Sequence, residues 1–81
     1  MIAFTRVRYT PSTDGKDTND KKVANLVHKY NGIGSFNLYD EFSGLVTACF
    51  YFFTMKSAIK TNDKLHNLKC VKSAVITSTL Q

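Results

Sequence analysis

Residues 45 to 53, Leu-Val-Thr-Ala-Cys-Phe-Tyr-Phe-Phe, constrain the fold of this chain more than any other stretch. Branched and aromatic side chains crowd the preceding turn of a helix, whereas a pleated strand sends successive rings to opposite faces. The segment is therefore predicted to be a strand, and its apolar character at both parities makes it a central one. It has strand length and is far short of the ~20 apolar residues that cross a bilayer. Val46, Ala48, Phe50 and Phe52 suit the core side; Leu45, Thr47, Cys49, Tyr51 and Phe53 then point outward.

The remaining segments arrange themselves around that strand. Residues 2 to 10 are rich in β-branched and aromatic types with partial alternation, a strand ended by Pro11. Residues 11 to 20, Pro-Ser-Thr-Asp-Gly-Lys-Asp-Thr-Asn-Asp, are turn formers and predict an exposed, mobile loop. Val23, Leu26, Val27 and Tyr30 fall at i, i+3, i+4 and i+7, the stripe of an amphipathic helix, with Thr18, Asn19 or Asp20 as its N-cap. Asn31-Gly32 supplies the stop, with glycine expected in the left-handed position. A short strand follows over 33 to 40, with Phe36 and Leu38 on one face and Asn37 and Tyr39 on the other, then a turn at 41 to 44. Thr54 is placed to cap a second helix that carries Met55, Ala58, Ile59 and Leu65 on its apolar side. Thr61-Asn62-Asp63 is expected to interrupt that helix, because such side chains compete for backbone hydrogen bonds. Residues 71 to 77 form the last strand.

The order β-α-β-β-α-β fills nearly all of the 81 residues. It resembles the ferredoxin-like topology, a single α+β domain with a four-stranded antiparallel sheet and two helices on one face. That resemblance implies that the first and third strands are central and that the fourth pairs with the first. Cys49 and Cys70 would then stand two strand spacings apart, about 10 Å, too far for the ~4.4–6.8 Å Cα separation of a disulfide. No C-x-x-C pairing accompanies them, so they read as ordinary thiols in a reducing compartment. The first residues, Met-Ile-Ala-Phe-Thr-Arg-Val-Arg, lack the pattern of a secretory signal, and a cytoplasmic location is expected.

Function is less legible than fold. A formal charge of +5 favours acidic proteins, nucleic acid or anionic lipid without choosing among them. On the first strand Ala3, Thr5, Val7 and Tyr9 are placed inward, because the opposite choice would bury Arg6 and Arg8. The outward set becomes Phe4, Arg6, Arg8, Tyr39, Leu45, Thr47 and Tyr51, of which Arg6, Arg8, Tyr39 and Tyr51 are the candidate binding residues. Rings beside guanidinium groups suit protein interfaces, and they also suit single-stranded nucleic acid. RNA-recognition domains of this topology place stacking aromatics on the third strand, where this chain has Leu45 and Thr47. That departure disfavours base stacking. A second candidate surface is the row Lys56, Lys60 and Lys64, spaced to share one helix face and able to follow a phosphate backbone.

Catalytic, metal and cofactor signatures are lacking. His28 and His66 have no carboxylate or cysteine partners at ligand or triad spacing, and Gly32-Ile33-Gly34 is not a phosphate loop. Where ferredoxin-like metal carriers have C-x-x-C and the nucleases an aspartate, after the first strand, this chain reads Tyr9-Thr10-Pro11. The function expected is a small non-enzymatic regulator or inhibitor that binds another protein. A viral or mobile-element origin, and a target in nucleic-acid handling or defence, go with so compact and motif-free a chain. The alternative is a basic module for single-stranded RNA or DNA, and a small basic ribonuclease is a third reading. A membrane partner is not expected; a homodimer through the sheet is compatible.

Overall fold

The computed structural model describes residues 2–12 and 18–79. Its elements are β1 (Ile2–Tyr9), α1 (Thr18–Lys29), β2 (Ile33–Asp40), β3 (Leu45–Phe52), α2 (Met55–Leu65) and β4 (Val71–Thr79). All neighbouring strands are antiparallel, in the order β2-β3-β1-β4, the ferredoxin-like arrangement. No helix among the described residues is long and apolar enough to cross a membrane.

The register explains which side of the sheet is covered. Ala3, Thr5, Val7 and Tyr9 of β1 stand opposite Phe52, Phe50, Ala48 and Val46 of β3, and all of them are buried. Val23 and Val27 of α1, with Ala58 and Leu65 of α2, complete the same core. Both helices therefore lie on one face, as alternation in the two central strands predicts.

Local chemistry departs from the sequence reading at four points. Thr18, Asn19 and Asp20 form the first turn of α1 rather than its cap. Asn19 ties that turn to the end of β1: its backbone N–H donates to Ser12 Oγ at 2.8 Å and its side-chain amide to the Thr10 carbonyl at 2.9 Å. At the other end Asn31, not Gly32, takes the left-handed conformation, with φ 65°. Asn31 N–H bonds the His28 carbonyl at 3.1 Å and Gly32 N–H the Val27 carbonyl at 2.9 Å, the paired bonds of a Schellman stop.

The second helix is continuous. Thr54 caps it by accepting from Ser57 N–H, and no break occurs at 61 to 63. Thr61 is fully buried and donates its hydroxyl to the Ser57 carbonyl at 2.8 Å, so the competing side-chain bond is made inside the helix. Thr61 lies with Ala58 and Leu65 on the buried line, while Ile59 is turned out and 47% exposed. Of the expected loop over 11 to 20, residues 13–17 lie outside the described residues.

Candidate binding face

The side of the sheet without helices is built from the opposite parity. Phe4, Arg6 and Arg8 of β1 stand opposite Tyr51, Cys49 and Thr47 of β3 and opposite Thr77, Val75 and Ser73 of β4. Phe4 and Tyr51 are in ring contact, centroids 4.8 Å apart and planes tilted by 58°. Arg6 is exposed between Cys49 and the half-exposed Val75, with no carboxylate partner among the described residues. The three expected residues Arg6, Arg8 and Tyr51 are thus brought onto one face.

Tyr39 is not among them. It pairs with Val46, a core-side residue, and so lies on the helix side at the sheet's edge, 56% exposed. The cause is a bulge between Gly34 and Phe36. Gly34 stands opposite Phe50 on the core side, yet Phe36 stands opposite Cys49 on the open side, so the extra residue inverts the rest of the strand. Leu38, opposite Thr47 and 62% exposed, takes the place on the open face that Tyr39 was expected to hold.

The two arginines have different surroundings. Arg8 reaches Asp40 at 3.7 Å and Ser43 Oγ at 3.4 Å across the β2–β3 turn. Asp40 accepts from the Ser43 hydroxyl and the Phe42 N–H, both at 2.9 Å, and Gly44 closes the turn at φ 71°. The Ser43 hydroxyl first, then the Phe42 N–H and the Arg8 charge, hold the Asp40 carboxyl below its usual range. Arg8 is therefore already engaged within the chain, whereas Arg6 has no such ion pair among the described residues.

On the helix side, β1 ends at a partly buried polar contact in which the Tyr9 hydroxyl donates to Asp20. Burial, then the Asp20 hydrogen bond and charge, and more weakly Cys70, push the tyrosine well above its ordinary 10.0. A raised folded-state pKa means that the stabilisation is fully present below 10.0 and is lost as pH rises beyond it. We expect Tyr9→Phe to cost about 1–2 kcal/mol at neutral pH and to flatten the alkaline fall in stability, read from urea unfolding across a pH series.

Lys56, Lys60 and Lys64 are all exposed on α2. Lys60 and Lys64 line a shallow cleft with Tyr30, Asp63 and Asn67. Their helix lies behind the sheet, so a flat ligand on Arg6 and Tyr51 does not reach the lysine row. A second open cleft, about 550 Å³, lies where β1 ends and β4 begins; Lys22 and Lys69 line it with Asn19 and Cys70. The sequence order did not reveal that grouping, because its residues come from the end of β1, the start of α1 and the α2–β4 connection. His28 and His66 are exposed on different helix ends, and the His66 ring approaches Asn62 at 3.4 Å. Among the described residues no three His, Cys, Asp or Glu side chains gather as a metal site. Cys49 and Cys70 are free thiols.

No protein-family model and no curated protein matches the chain. Among solved structures it is similar to the solution structure of the ACT domain from GTP pyrophosphokinase of Chlorobium tepidum, with a TM-score of 0.66 and 13% identity. The match covers 99% of this chain and 89% of that one. At that identity the likeness shows the ferredoxin-like fold.

Proposed function

We propose that this protein is a small non-enzymatic regulator that acts by binding another protein through the open face of its sheet. The supporting observation is Arg6, a guanidinium without an ion-pair partner among the described residues, standing among Phe4, Tyr51, Cys49 and Val75 on the face of the sheet that carries no helix. A rigid sheet presents these groups with little entropy to lose, and arginine and tyrosine are the side chains that most often anchor interfaces. The complementary partner surface is apolar with an acidic side chain near its centre, since a carboxylate can accept two parallel N–H bonds from Arg6. Inhibition of its target, and a target in nucleic-acid handling or defence, belong to the same proposal.

Capture from nuclease-treated extract of the native host, with binding constants measured on the protein recovered, tests this reading. Arg6→Ala and Tyr51→Ala should each weaken binding about 5- to 30-fold, the equivalent of ~1–2 kcal/mol. Tyr39→Ala, on the other side, should leave it unchanged. Neutralising Lys56, Lys60 and Lys64 together should alter mainly the association rate. Undiminished binding by a folded Arg6→Ala/Tyr51→Ala variant would overturn the proposal. So would a ligand that disappears on nuclease treatment and binds with a steep salt dependence, which belongs to the nucleic-acid alternative.

A further inference from the structure

The sheet has two edge strands, and their sequences treat the edge differently. β2 carries Gly34 and a bulge, and it ends in the Asp40 turn, all features that spoil continuous pairing with another strand. β4 is irregular only at its start, where Arg8 pairs with Ser73 and Tyr9 with Val71, leaving Lys72 as the extra residue. From Ser73 the ladder with β1 runs without a break to Thr79. That run, Ser-Ala-Val-Ile-Thr-Ser-Thr, contains no charge, glycine or proline. Exposed edges are ordinarily blunted by such residues, and a long, regular, uncharged edge is a template for pairing.

We infer that the outer edge of β4 is an interface for a second copy of this chain, joined antiparallel about a two-fold axis. The strand is complementary to itself in that arrangement. Centred on Val75, the pairing sets Val75 against Val75 and Ser73 against Thr77 on the open face, and Ala74 against Ile76 on the helix side. Lys72 falls opposite Ser78 instead of its own copy, so no like charges meet along the ladder. Nothing along the edge selects a charged partner, whereas the two-fold match places the half-exposed Val75 against an identical apolar neighbour. The product is one continuous sheet from two four-stranded ones, with both open faces on the same side. The inference does not rest on what that face binds, and Val75, opposite Arg6, is shared by the two surfaces.

Sedimentation equilibrium of the full chain provides the test. Pairing along one edge buries little surface, so dissociation constants on the order of 10–100 µM are expected. Val75 is half exposed on the open face, and Val75→Lys is compatible with the fold. The substitution should raise the dimer constant about tenfold or more, and an equimolar mixture of Val75→Lys with Val75→Glu should recover the dimer. On the wild-type chain, amide exchange over 73 to 77 should slow with rising concentration while exchange in β2 stays constant. A chain monomeric up to about 1 mM, a Val75→Lys dimer of unchanged affinity, or concentration-dependent protection at β2 alone would overturn the inference.

Discussion

Phe52→Ala is expected to cost about 3–5 kcal/mol, the range for removing a buried aromatic ring from a well-packed core. Phe52 is 0% exposed at the end of β3, and Ala3 of β1 lies opposite it. Its ring edge also faces the backbone at Gly32, where the chain leaves α1. The cavity would open at the junction of sheet and first helix, where neither layer can collapse into it without breaking the other's contacts. Small domains have total stabilities of about 5–10 kcal/mol, so the variant should unfold at a far lower urea concentration and with a broad loss of amide protection. A loss below about 1 kcal/mol would mean that β3 does not carry the core.

Gly32→Ala should be the second most damaging change, for a steric reason and not a conformational one. A Cβ at this position would lie 2.3 Å from Val27 Cγ1 and 2.7 and 2.8 Å from Phe52 ring carbons. Val27 and Phe52 are both 0% exposed and have nowhere to go. Overpacking of this kind costs about 1–3 kcal/mol. The left-handed position belongs to Asn31, so Asn31→Gly should be neutral or slightly stabilising in the same unfolding assay. The two explanations separate in a double-mutant cycle: Gly32→Ala should cost clearly less when Phe52 is already Leu. An undiminished cost in that background would point to the backbone.

The contrast at Asn31 and Gly32 illustrates what a sequence can and cannot disclose. The pair announced a helix stop, and a stop is there; that Asn31 takes the unusual backbone, and that Gly32 is needed for the close approach of Phe52 from a strand twenty positions later, is visible only in the fold. The parity of β1 was readable because burying Arg6 and Arg8 would be costly, and that of β3 because Val46, Ala48, Phe50 and Phe52 are wholly apolar while the other parity includes Thr47 and the Tyr51 hydroxyl. β2 offered no such constraint. Its bulge answers the pairing of Ile33 with Tyr51 and Phe36 with Cys49, a relation between two strands that a single strand's alternation cannot express. The displacement of Tyr39 from the open face follows from that one added residue. Similarly, Thr61-Asn62-Asp63 has the local chemistry of a helix breaker, but burial of Thr61 against the core overrides it. The Arg8–Asp40 and Tyr9–Asp20 contacts join residues on different elements, and only the completed fold brings them together.

The open face was therefore legible in outline, through Phe4, Arg6 and Tyr51, while its β2 margin was not. The binding role assigned to it is best tested by hydroxyl-radical footprinting of the chain, free and in complex with its captured, nuclease-treated partner. Tyr51 and Phe4 should be protected in the complex, with Tyr39 oxidised at the same rate in both states. Protection of Tyr39 with Tyr51 and Phe4 unchanged would contradict the account and place the partner on the helix side of the sheet.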